Sequence, residues 1–182
     1  MNVIWLAKPV EADRVEVGTV GSPWGDVLTV WHDDALSRLA FVDDAESRDT
    51  ELARVERLWG SKPVMMEPTD ARLEQLHDLL MEWPEVNGRR TPMLEIIGSG
   101  FQQSVWRLLL KLRPGETVTY GHIAERLGKA GSARAVGRAV ASNPVSVLVP
   151  CHRVLPSGGG TGHYAGGAAR KKALLDTEGV PG

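Results

Sequence analysis

The chain has one cysteine, Cys151, and a histidine follows it directly at His152. A thiolate is a good nucleophile, but a free thiol near pKa of about 8.5 is only a few per cent ionised at pH 7. A histidine backed by a carboxylate can raise that fraction. Upstream lies Val145-Ser146-Val147-Leu148-Val149-Pro150, an apolar, β-branched run stopped by proline, which predicts a short buried strand. A thiol at the end of such a strand is held in place. Neighbours in an extended chain point to opposite sides, so a direct Cys151–His152 pair is poorly placed. A hydrolase built on this thiol would need His122 or His163 instead.

Two flanking stretches could serve the cysteine. Leu155–Gly167 carries glycine at 158, 159, 160, 162, 166 and 167, with His163 and Tyr164 as its large polar side chains. Such a loop lets backbone groups come close to a ligand, or forms a loose tip at 158–162. On the other side, Ala133–Ala141 reads as a slim helix: Ala133, Ala135, Gly137, Ala139 and Ala141 are small, and Arg134 and Arg138 share one face. That surface suits close approach to a phosphate backbone in a narrow groove, or is a solvated face with a tightly packed back.

The elements that must position these residues follow from spacing. Arg14–Thr19, Asp26–Trp31 and Leu36–Phe41 predict an antiparallel meander, separated by Gly21–Gly25 and Asp33-Asp34. Ala45–Trp59 predicts a helix ended by Gly60. A second helix starts at Thr69 or Asp70, buries Leu73, Leu76, Leu80 and Trp83, and stops at Pro84. Glu85–Gly100, with Arg89-Arg90, reads as a linker. Beyond it, Phe101–Leu112 and Tyr120–Leu127 predict helices, the latter capped by Thr119 and closed by Gly128. Ser132 caps the slim helix, and the pair outlines a helix-turn-helix. A closing helix spans Ala168–Glu178, with Arg170 and Lys171 read as a solvated face or phosphate contacts. No chemistry is read in the first half, whose His32 and His77 suit surface or edge positions.

Length of 182 residues suits one domain or two small ones. The 42% hydrophobic and 24% charged contents are those of a soluble globular protein. No run of about 18 apolar residues is present for a membrane helix. One cysteine permits no internal disulfide, which fits a reducing cytoplasm, and no multi-cysteine zinc site. Residues 1–90 carry 10 Lys+Arg against 18 Asp+Glu, a balance of −8; residues 91–182 carry 11 against 5, +6; together these give the net −2. The half holding Cys151 is thus the one suited to a polyanion.

Pro150-Cys151-His152-Arg153-Val154, preceded by Arg134-Ala135-Val136-Gly137 and Asn143-Pro144 and followed by Tyr164-Ala165-Gly166-Gly167, resembles the O6-alkylguanine-DNA alkyltransferases. The resemblance covers Phe101 to Glu178; upstream it is looser, with Ser22-Pro23-Trp24-Gly25 similar to a turn of that family. It implies an α/β plus α fold: an RNase H-like domain with a small antiparallel sheet over residues 1–92, and a helical, winged-helix-like domain over 93–182. It also implies a cytoplasmic monomer acting on double-stranded DNA from the minor groove, with no cofactor, metal or membrane partner.

The resemblance further implies roles. Cys151 accepts the alkyl group; His152, through a water, and Glu178 generate its thiolate. Tyr120 donates to the guanine ring and helps rotate the nucleotide out. Arg134 fills the space of the extruded base, on a helix whose Ala133, Ala135, Gly137 and Arg138 meet DNA. Asn143 holds the turn before the cysteine. Ser146, Tyr164, Ala165 and Gly166 line the pocket, with backbone donors to O6, and the carbonyls of Cys151 and Val154 accept from the guanine amine. Elementary chemistry agrees: an O6 adduct lies inside the stack and must be flipped out, and a thioether has no labile bond, so each molecule reacts once. Ser146 stands where broadly tolerant relatives often carry proline, and Ala165 where some carry serine. Three other readings stand beside this one: a lesion-binding relative without transfer, which usually has tryptophan at the cysteine position; a cysteine hydrolase; and a plain helix-turn-helix regulator.

Overall fold

The computed structural model describes residues 1–8, 12–59, 63–85 and 91–180. Gly60, expected to end a helix, and Arg89-Arg90 of the expected linker lie outside these residues. The chain forms two compact units, Met1–Ile97 and Gly98–Gly182. The break falls after Ile97 and not at 92, because residues 93–97 are not linker.

In the first unit β2 (Arg14–Val20), β3 (Val27–His32) and β4 (Ala35–Phe41) form the expected antiparallel meander. The Ser22–Gly25 turn closes by reciprocal backbone bonds of 3.2 and 3.1 Å, with Gly25 at φ +114°. The expected small antiparallel sheet is corrected to a six-stranded mixed one. β1 (Val3–Leu6), β5 (Val64–Met66) and β6 (Met93–Ile97) join in parallel, giving the order β1-β6-β4-β3-β2-β5. Strands of three to five residues are too short to show an alternation, which is why the sequence hid them.

Helix α1 (Ala45–Trp59) buries Val55 and Trp59 in one cluster with Val15, Val17, Leu28 and Val30. Helix α2 (Asp70–Met81) covers the other face: a Cβ at Gly18 would lie 2.9 Å from Leu73. Residues 15 and 17 point one way from β2 and residue 18 the other, so the sheet is covered on both faces. Leu76, Leu79 and Leu80 form the buried stripe of α2; Leu73 and Trp83 are only half-buried, Trp83 lying past the helix end. Thr69 stands at the N-cap without a side-chain cap bond. His32 meets both Glu95 oxygens at 3.2 Å and packs on Trp59, while His77 Nδ1 is 3.0 Å from the Gly21 carbonyl.

In the second unit α3 (Gly100–Leu109) begins with a Ser99–Gln102 capping box and buries Val105, Trp106 and Leu109. It ends before Leu112. Thr119 caps α4 (Tyr120–Arg126) by accepting from the His122 N–H at 3.2 Å. Helix α5 (Ala133–Ala141) has the expected bounds, although Ser132 makes no side-chain cap bond. Its Val136, Ala139 and Val140 are buried, which turns Arg134 and Arg138 outward. The Trp106 indole N–H donates to the Ala139 carbonyl at 2.8 Å, tying α5 to α3.

Residues 145–150 are fully buried as expected but are not a strand. They form tight turns, with Val149 N donating to Val145 O at 3.0 Å and Val147 at φ +67°. A left-handed valine is strained and persists only where surrounding packing dictates it. A one-turn 3₁₀ helix, Cys151–Arg153, follows; then β8 (Val154–Leu155) pairs with β7 (Val118–Thr119) in parallel. Helix α6 (Ala168–Thr177) closes the unit.

Candidate active site

Asn143, just after α5, organises the turns that present the thiol. Its Oδ1 accepts from Val145 N at 3.1 Å, and its Nδ2 donates to Val149 O at 2.8 Å and to Cys151 Sγ at 3.0 Å. An amide supplies one acceptor and two donors, and this turn uses both kinds. Cys151 is only 3% exposed. Burial pushes its thiol up; the Asn143 amide and the Lys171 ammonium pull it back without cancelling burial.

Behind the cysteine, one carboxylate holds two cationic or basic groups. His152 is fully buried, and its Nε2 meets Glu178 Oε1 at 2.9 Å. Arg153 donates Nε to Glu178 Oε2 at 2.8 Å and Nη2 to Oε1 at 2.7 Å, while Nη1 reaches the Leu112 carbonyl at 2.6 Å. Burial alone would raise the Glu178 carboxyl, but the bonds and charges of His152 and Arg153 outweigh it and hold its pKa at about 2. Burial also pushes His152 down, against the pull of Glu178, so the imidazole is neutral at pH 7. With Nε2–H donating to a carboxylate, Nδ1 carries the lone pair; it is buried with no hydrogen-bond partner among the described residues.

In front of the thiol lies a cavity of about 840 Å³. Of the residues expected to form the site, Tyr120, Ala133, Arg134, Gly137, Arg138, Asn143, Ser146, Tyr164 and Ala165 line it with Cys151. His163 and Gly162 also line it. Ala135, Gly166 and Val154 do not, and His152 and Glu178 sit behind the cysteine. Tyr120 packs on α5: a Cβ at Gly137 would touch its ring at 3.8 Å. Burial, and then the charge on Cys151, push the Tyr120 and Tyr164 hydroxyls up, so both are protonated donors at pH 7.

One expectation is overturned. Lys171 is not on a solvated face: it is fully buried, and its Nζ donates to the Val154 carbonyl at 2.6 Å. That bond occupies one lone pair of the carbonyl expected to take the guanine amine. The sequence reading also gave no role to Arg153 or Trp106 and missed the direct Asn143–sulfur bond. Lys171 and Glu178 are two helical turns apart and therefore share a face, a spacing that could have found Lys171.

A buried thiol thus faces a cavity walled by a helix that bears two arginines. Residues 100–180 match the model of the 6-O-methylguanine DNA methyltransferase, DNA binding domain. A methylated-DNA–protein-cysteine methyltransferase of Mycobacterium bovis is 49% identical over 85 residues, 47% of this chain and 52% of the relative. One of Shigella flexneri is 50% identical over 82 residues, 45% of this chain and 48% of the relative. The matched stretch thus spans about half the length of these curated relatives. The Mycobacterium tuberculosis O6-methylguanine methyltransferase structure superposes with a TM-score of 0.68 at 32% identity, over 90% of this chain and 92% of that one. The same protein in complex with DNA gives 0.68 at 31%, over 91% and 92%. This chain belongs to the O6-methylguanine-DNA methyltransferase family.

Proposed function

We propose that this protein repairs double-stranded DNA by moving an alkyl group from guanine O6 to the sulfur of Cys151, once per molecule. The observation that carries the reading is the Cys151 sulfur, 3.0 Å from the Asn143 amide at the edge of a cavity that α5 walls with Arg134 and Arg138. Helix α5 enters the minor groove, Arg134 fills the space left by the extruded nucleotide, and the purine enters the cavity. The thiol proton passes through a water to His152 Nδ1, whose other nitrogen is steadied by ionised Glu178. The thiolate attacks the alkyl carbon; the carbon–O6 bond breaks and its electron pair goes to the guanine. The Tyr120 hydroxyl and the backbone N–H of Ala165, both on the cavity wall, stabilise that charge. Arg153 keeps Glu178 ionised and so keeps His152 in the tautomer that can take the proton.

The finer fold reading belongs with this proposal: an RNase H-like first unit and a winged-helix-like second unit, in a cytoplasmic monomer that needs no cofactor. Ser146 in the wall in place of proline leads us to expect slow reaction with bulky adducts. O6-benzylguanine reacting as fast as O6-methylguanine would remove that expectation.

The test is intact-protein mass spectrometry after mixing with a duplex containing O6-methylguanine. One added methyl group, mapped to Cys151 and absent from Cys151→Ala, is the expected result. Tight binding of the lesion without methyl gain would favour a recognition protein, and steady turnover of an ester or amide would favour a hydrolase.

A further inference from the structure

A second groove of about 1050 Å³ lies on the other side of α4 from the Cys151 cavity, and Lys111, Arg113, His122 and Arg126 line it. His122 and Arg126 are one turn apart on α4, on the side opposite Tyr120. Lys111 and Arg113 come from the segment that follows α3. All four are exposed, and among the described residues none of their side chains makes a hydrogen bond or ion pair. The one carboxylate in the lining, Glu116, accepts from the Arg113 backbone N–H at 2.8 Å. Three permanent positive charges gathered without anions repel one another, and a cleft lined by one sign of charge focuses its field on an incoming anion.

The groove is held in shape by the same groups that stand behind Cys151. The segment carrying Lys111 and Arg113 is pinned where the Leu112 carbonyl accepts from Arg153 at 2.6 Å and the Gly115 N–H donates to Glu178 at 3.4 Å. Its floor is the β7–β8 pair, Val118 beside Val154 and Thr119 beside Leu155. Thr117, Thr119 and Ser157 add hydroxyls to the lining, and cations with hydroxyls are the groups that hold phosphate oxygens. Pro156 lines both this groove and the Cys151 cavity, while Thr119 on one side adjoins Tyr120 on the other. We propose that the groove is a backbone track: Lys111, Arg113 and Arg126 hold phosphates of the lesion-bearing strand where it passes over Pro156, beyond the nucleotide in the cavity. The inference rests on the proposed reaction with DNA and adds where that strand runs. With α5 in the minor groove and the backbone held past Pro156, the strand is gripped at two places around the extruded nucleotide.

The experiment measures affinity of the full chain for an O6-methylguanine duplex by fluorescence anisotropy over a salt series. Lys111→Gln, Arg113→Gln and Arg126→Gln each remove one charge at an exposed position, and Arg57→Gln, on exposed α1 surface, is the control. Each groove variant should lower the slope of log affinity against log salt by about one, the triple variant by about three, and the control not at all. Methyl transfer from the free base O6-methylguanine, which has no phosphates, should keep the parent rate. Neutral methylphosphonates placed singly along the lesion strand then locate the contact. The parent should lose affinity at adjacent positions on one side of the lesion, and the triple variant should lose none there. Unchanged slopes, or sensitivity confined to the complementary strand, would overturn the track. So would a defect seen only when protein crowds on the DNA, which would make the groove a seat for the acidic half of another copy. A slower free-base reaction would place the effect at Cys151 and equally refute the assignment. A parent that binds with these slopes yet gains no methyl group would instead sink the repair reading and leave the groove's role intact.

Discussion

The amide nitrogen of Asn143 lies 3.0 Å from the sulfur of Cys151 and at the same time 2.8 Å from the carbonyl of Val149, so one side chain both shapes the turn and touches the nucleophile. Asn143→Ala leaves the Val145 N–H without its side-chain acceptor, and the Val149 carbonyl with only the Cys151 N–H at 2.7 Å. A loss of roughly 2–4 kcal/mol is expected, measured by urea unfolding. Asn143→Asp adds an anion beside the sulfur instead, and iodoacetamide should then react more slowly than with the parent at every pH below the thiol midpoint. A faster reaction in the Asp variant would contradict the placement of that bond.

Glu178 predicts a pH window. Its folded pKa of about 2 lies below the ordinary 4.5, so the unfolded chain binds more protons between those values. The stabilisation, on the order of 3 kcal/mol, is therefore complete above the upper value and is lost as pH falls through the lower one. Urea midpoints of the parent and Glu178→Gln should differ by a constant amount from pH 5 to 7 and converge below about pH 4. A difference that persists unchanged down to the acid limit would mean that the carboxylate's ionisation does not stabilise the fold.

Gly98 admits no side chain. A Cβ there would fall 2.5 Å from the Trp106 ring, and that ring supports α5 through the Ala139 carbonyl. Gly98→Ala should cost about 1–3 kcal/mol and weaken DNA binding together with thermal stability. Normal affinity in a clearly destabilised variant would separate Trp106 from the proposed DNA-binding role of α5.

Arg134 and Arg138 sit on one exposed face yet should fail differently. Arg138→Ala should reduce the slope of log affinity against log salt by about one and weaken binding to damaged and intact duplexes alike. If Arg134 fills the extruded nucleotide's place as proposed, Arg134→Ala should slow methyl transfer more than it weakens binding, because the unfilled gap would let the nucleotide return to the stack. Fluorescence anisotropy across a salt series, beside single-turnover transfer, distinguishes the two.

Much of the second unit was legible because its elements carry punctuation. Ser132 and Asn143-Pro144 bracket α5, and Thr119 and Gly128 bracket α4. The cavity residues followed from the motif around Cys151, and the geometry gathers most of them. What stayed hidden depends on neighbours distant in sequence. An unbroken apolar stretch such as 145–149 looks the same whether it forms a central strand or a buried turn, and here the amide of Asn143 decides for the turn. Lys171 lies between Arg170 and Lys172 and reads as solvated; only the carbonyl of Val154 shows otherwise. Met93–Ile97 needed the parallel partners β1 and β4 to declare itself a strand.

The indole of Trp106, itself 1% exposed, stands directly behind the helix that carries the two arginines. With Val136, Ala139 and Val140 packed on the same side, that helix has no room to recoil when it is pressed from the front. In the proposed complex, any mismatch in width between helix and groove would then be taken up by the duplex, whose base steps open and bend with comparative ease. Under that proposal, sites where stacking is already weakened should yield first, and the protein's rigidity would help sort soft DNA from stiff.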